Sequence, residues 1–106
     1  MTPFQKIKGE LSLPTYLDFY DGTDQKYVVV TTIMQQPLTG DADDEAFITT
    51  VDVDLYSKKD PTSDKKAVRK ALRKLGFAIA EINHFYEENE EYYHINFRCE
   101  IEETEE

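Results

Sequence analysis

The 106-residue sequence holds a single cysteine, Cys99, so no intramolecular disulfide framework is available to it. Four glycines are too few, and too scattered, for a glycine-rich phosphate loop. A Walker-type lysine and a nucleophile elbow are missing as well. No apolar run approaches the ~20 residues of a membrane-spanning helix. The first residues, Met1-Thr-Pro-Phe-Gln-Lys, lack the apolar core of a secretion signal. Positive charge is scarce: 12 Lys and Arg stand against 22 Asp and Glu, a formal charge of −10. That balance disfavours unaided binding to nucleic acid or an anionic membrane, because counterion release rewards basic surfaces. What remains is 40% apolar, with seven tyrosines and six phenylalanines, which argues against wholesale disorder. The length suits one domain. The expected class is a soluble, acidic, intracellular protein with one domain over 1–102 and a disordered acidic tail over 103–106.

The charge is uneven. Lys58, Lys59, Lys65, Lys66, Arg69, Lys70, Arg73 and Lys74 crowd into one segment opposed only by Asp60 and Asp64, a local +6. The other four bases and twenty acids come to −16. Acid collects at 41–45, at 87–91 and from Glu100 onward.

Thr2-Pro3 reads as a helix N-cap with proline at the first position, and Phe4, Ile7 and Leu11 continue at helical spacing to about residue 11. Pro14 ends that helix, and an extended stretch over 15–20 closes on the turn-like Asp21-Gly-Thr-Asp. Residues 26–34 are dense in β-branched side chains and predict a strand. Residues 35–45, with Pro37, Gly40 and no periodicity, predict an exposed loop. From 46 to 56, Val51, Val53 and Leu55 alternate with Asp52 and Asp54, one face apolar and one wet. A second helix starts at Asp60-Pro61 or Ser63, with Val68, Leu72 and Leu75 as its apolar stripe, Ala67 and Ala71 filling in, and Gly76 just past its end. Strands at 77–86 and 92–102 flank a turn. In the last strand Tyr93, Ile95, Phe97, Cys99 and Ile101 share one face; His94, Asn96, Arg98, Glu100 and Glu102 share the other. The order α-β-β-β-α-β-β predicts an α+β fold, a mostly antiparallel sheet of four to five strands with two helices on one face.

Chemistry is hard to find. Cys99 could pair with His84 or His94 as a nucleophile, but its apolar strand face fits a buried structural thiol better. His84 and His94 flank the turn and could share a metal across a hairpin, although two ligands do not close a site. Asp41, Asp43 and Glu45 begin like a calcium loop with Asp52 at the twelfth position, yet Ala46 stands where the loop needs glycine. Asp52 and Asp54 resemble paired carboxylates but fit the wet face of a strand. No catalytic residue, metal or cofactor is expected. The basic helix carries no aromatic among its cations, so base stacking is unsupported. An acidic protein partner suits it better, and a second copy of the chain is one.

Taken in sequence, Leu13-Pro-Thr-Tyr16, Tyr27-Val-Val-Val30, the acidic loop, Val51-Asp-Val-Asp-Leu-Tyr56 with Lys59-Asp60, Leu72-x-x-Leu-Gly-Phe77 and the span from Tyr86 to Ile101 form one pattern. It resembles the tail-terminator, or tail-completion, proteins of long non-contractile-tailed phages and prophages, the family of the lambda-type minor tail protein U. The resemblance covers roughly 7–101 and departs in the short, Gly-interrupted first helix and the Glu-rich end. It implies a mixed sheet with helices on one face and a hexameric ring that caps the tail tube and joins it to the head. The implied partners are the protein itself, the tail tube protein and a head–tail connector, in the host cytoplasm during assembly and then in the virion tail. No membrane or sequence-specific nucleic acid is among them. The expected contact residues are Arg69, Lys70, Arg73 and Lys74 on the helix and Asp41, Asp43, Asp44 and Glu45 in the loop. The alternative is an acidic DNA mimic that inhibits a DNA-binding enzyme, motivated by the −10 and opposed by the +6 segment.

Overall fold

A computed structural model describes residues 1–38 and 46–104. Helix α1 (Pro3–Glu10) opens with a reciprocal cap: Thr2 Oγ1 accepts from Gln5 N at 3.1 Å while Thr2 N donates to Gln5 Oε1 at 2.9 Å. Two of the orphan amides of the first turn are thereby satisfied. Helix α2 (Thr62–Lys74) ends where Gly76 turns at φ 94. There Gly76 N donates to Arg73 O and Phe77 N to Leu72 O, the paired bonds of a Schellman motif.

The strands are β1 (Thr15–Leu17), β2 (Lys26–Pro37), β3 (Ala46–Ser57), β4 (Ala78–Glu87) and β5 (Tyr92–Thr104). They form one five-stranded sheet in the order β1-β2-β3-β5-β4. β1 runs parallel to β2 and every other pair is antiparallel. The α+β architecture expected from the periodicities is the one observed.

Register sets the faces. Val28, Leu55 and Ile95 lie in one cross-strand row, and Val30, Val53 and Phe97 in the next. Ile7 of α1 and Val68 and Leu72 of α2 pack against these rows. Burying each such side chain contributes about 1.5–3 kcal/mol, so this helix-covered face carries most of the folding free energy. Leu75 is only partly buried and Ala67 is exposed, so the stripe of α2 narrows to Val68, Ala71 and Leu72.

Among the described residues no helix packs on the opposite face; a second cluster of Tyr27, Val29 and Tyr92, ringed by Tyr16, Tyr20 and Tyr56, lies there. Tyr27 stacks on Tyr56 at 4.9 Å and Tyr16 on Tyr20 at 4.0 Å. Aromatic pairs of this kind add about 0.5–1.5 kcal/mol each beyond their buried area. The tyrosines cover for one another where a helical layer is missing.

Three expectations change. β2 runs on through Pro37, because Gln35, Gln36 and Pro37 find partners in Thr49, Ile48 and Phe47, so residues 35–37 belong to a strand rather than to the predicted loop. Glu103 and Thr104 pair with Phe47 and Ala46 and belong to β5 rather than to a tail. Tyr93, expected in the core, is 42% exposed: it sits past the cover of the helices, beside Tyr86. Tyr92, on the supposedly wet face, is the buried one.

Edge strand β4 carries an irregularity, and so does β2 where it runs on beyond its pairing with the three residues of β1. β2 shifts register between Thr32 and Met34, and β4 between Ile79 and Glu81. Bulges of this kind, with Pro37 closing β2, discourage simple edge-to-edge strand addition.

Candidate functional site

A strongly basic surface lies along α2. Its apolar stripe must face the sheet, and the i, i+4 spacing then throws Arg69, Lys70, Arg73 and Lys74 outward, all exposed. Lys74 Nζ lies 2.9 Å from Glu10 Oε2 at the end of α1, which pins the two helices loosely together. Exposed pairs of this kind contribute about 0–1 kcal/mol, so the pair orients more than it stabilises. Arg69, Lys70 and Arg73 make no ion pair among the described residues.

Two grooves run beside these cations. Lys70, Arg73 and Lys74 line one against Leu11 and Leu13 of the α1–β1 connection. The other separates α2 from edge strand β4. Arg69 and Arg73 form one wall; Phe77, Ala78, Ile79, Ala80 and Ile82 form its apolar side, with Glu81 at hand. Asp41, Asp43, Asp44 and Glu45, the expected acidic half of the contact, lie outside the described residues, as does the start of the calcium-like pattern.

The remaining candidates separate. His84 sits opposite Ile95 and His94 opposite Phe85, so the two imidazoles project from opposite faces of the sheet and cannot share a metal. His84 Nε2 lies 3.0 Å from Lys65 Nζ. His94 instead faces Asp54 Oδ1 at 2.7 Å through Nε2 and Glu87 Oε1 at 3.0 Å through Nδ1. Burial alone would lower the pKa of this imidazole, but its hydrogen bonds to Asp54 and Glu87 outweigh that and raise it. Asp52 is held by Arg98, which donates from Nε and Nη2 at 2.9 Å each; this bidentate pairing keeps its carboxyl below the usual range. Asp52 and Asp54 therefore serve two separate cross-strand partners rather than one paired-carboxylate site. Cys99 is fully buried, and desolvation pushes its thiol up to about 12, as a structural thiol requires.

Among the described residues, no group of three or more His, Cys, Asp or Glu side chains is placed to hold a metal ion. No helix there is long and apolar enough to cross a membrane. No protein-family model and no curated protein matches the sequence.

Sequence reasoning missed the tyrosine cluster. Its signal was available in parity: Tyr27 falls on the face opposite Val28 and Val30, Tyr56 opposite Val53 and Leu55, and Tyr92 opposite Ile95 and Phe97. The interior rings lie against one another, so their π faces are used within the cluster rather than offered to a base or sugar. The edge at β1 and the loop after it were also passed over, although Leu17, the last residue of β1, is 52% exposed and Phe19 in the loop is 72% exposed.

Proposed function

We propose that the protein is a structural assembly subunit of the tail-terminator kind, which forms a homo-oligomeric ring, caps a phage tail tube and joins it to the head. The observation that carries this reading is the exposed row Arg69, Lys70 and Arg73, without carboxylate partners among the described residues, on a chain that is otherwise strongly acidic. A cationic face on an anionic body is complementary to another copy of itself, and such charge patterns fix register and partner choice. The sheet order adds to it, since β1–β2 and β4 are opposite edges and a contact between them is heterologous, a geometry that closes into a ring where the rotation permits. The same cations weigh against the DNA-mimic alternative, whose function needs an uninterrupted acidic surface.

The test is to add the purified protein to polymerising tail tubes and follow tube length and tube ends by electron microscopy. Termination of growth with a ring at one end is expected. Charge reversal of Arg69, Lys70, Arg73 and Lys74 to Glu should abolish it. Tubes that grow on unchanged and uncapped with the wild-type protein would refute the reading.

A further inference from the structure

The loop after β1 has an unusual backbone. Asp18 adopts φ 64, and Phe19 N donates back to Leu17 O at 2.7 Å, a tight γ-turn in the left-handed region that costs a non-glycine residue conformational energy. The turn holds Phe19 outward at 72% exposure, between the exposed carboxylates Asp18 and Asp21. The base of the loop is braced by ring contacts and a hydrogen bond. Tyr20 stacks on Tyr16 and leans on Tyr27 at 4.6 Å, and Tyr16 Oη donates to Asp24 Oδ2 at 2.6 Å. An aromatic knob with acidic flanks thus stands on the β1 edge, fixed in place before any partner arrives.

At the opposite edge lies its chemical converse, the α2–β4 groove. Its floor is apolar (Phe77, Ile79, Ile82) and its rim carries Arg69 and Arg73. Glu81, the one acid lining it, accepts from Asn83 Nδ2 at 3.3 Å and lies across from Arg98 in register. We propose that the Phe19 knob of one copy seats in the α2–β4 groove of the next, with Asp18 and Asp21 meeting Arg69 and Arg73. The register shift in β4 and the three-residue length of β1 discourage plain strand addition, so the junction is made by side chains. Because knob and groove occupy opposite edges of one sheet, the contact repeats head to tail. This contact rests on the ring-forming reading above and names its mating surfaces.

The experiment is sedimentation velocity on the full chain at low and at high salt, with circular dichroism confirming that each variant is folded. Phe19→Ala should weaken self-association at least ~10-fold, as loss of a central aromatic anchor does. R69E/R73E and D18N/D21R should each dissociate the assembly, asparagine being chosen at 18 because it tolerates the positive φ. In an equimolar mixture the R69E/R73E knob meets an unaltered groove, and the D18N/D21R knob meets the R69E/R73E groove with the charge at position 21 exchanged, so the mixture should reassemble. A wild-type assembly that these variants leave intact, or a mixture that stays dissociated, overturns the knob-and-groove contact while leaving the ring reading standing. A wild-type chain that is monomeric at every concentration removes the self-association on which both rest.

Discussion

His94 stacks on Tyr56, ring centroids 4.3 Å apart and planes 16° from parallel, while its two nitrogens face Asp54 and Glu87. Both nitrogens can donate to carboxylates only when the ring is an imidazolium. Phe85, its tilted neighbour at 5.3 Å, and Asn96, which donates to the same Asp54 Oδ1 at 2.9 Å, complete the surroundings.

This raised pKa makes stability depend on pH with a definite sign. The folded state holds the proton more tightly than the unfolded chain. The gain is therefore complete below the ordinary imidazole value of 6.5 and is lost as pH rises through the higher folded value. Urea unfolding of wild type and His94→Gln should show the wild-type advantage largest near pH 5.5 and shrinking by about pH 8.5. An advantage that does not change across that range would mean that His94 is not charged in the fold.

Gly76→Ala tests the end of α2. A Cβ there would meet nothing within 4 Å, so the cost is purely that of holding alanine at φ 94. About 1 kcal/mol of destabilisation is expected, read from the urea midpoint with unchanged slope.

Gly22→Ala probes the knob from a different side. A Cβ at Gly22 would lie 2.1 Å from Tyr20 Oη, which itself accepts from Asp24 N at 3.2 Å. Tyr20 must therefore shift out of its stack on Tyr16. Loss of at least one aromatic pair, about 0.5–1.5 kcal/mol, is expected, together with weaker self-association because the base of the Phe19 loop loosens. Thermal melts and sedimentation of the same sample check both.

Cys99 should resist a thiol reagent at neutral pH. It is fully buried, and its thiol is pushed up to about 12, so the reactive thiolate is scarce as well as inaccessible. The expected outcome is labelling only at the rate of unfolding, accelerated by urea; rapid labelling of the native protein would contradict the burial.

Much of the fold was legible in the sequence because it is written in near neighbours. Thr2-Pro3-x-Gln5 caps a helix through bonds three residues apart, and Val68, Ala71 and Leu72 make a stripe from the 3.6-residue turn alone. Alternation at Val51, Val53 and Leu55 likewise predicts a face without knowing what covers it. The basic half of the candidate site, Arg69 to Lys74, follows from the same local rule, since the side of a helix away from its apolar stripe must face water.

Tertiary structure alone decided what those faces meet. Strand register is a non-local choice, and a one-residue slip exchanges the two faces of a strand. Only the pairing of β4 with β5 reveals that His84 and His94 point apart, and only the β2–β3–β5 rows bring Tyr27, Tyr56 and Tyr92 into one cluster. The same is true of the knob and the groove: Phe19 and Arg69 are fifty positions apart, and it is the strand order that sets them on opposite edges of a single sheet. Local sterics wrote the elements into the sequence; long-range pairing, whose entropy cost is repaid only when the whole sheet closes, arranged them.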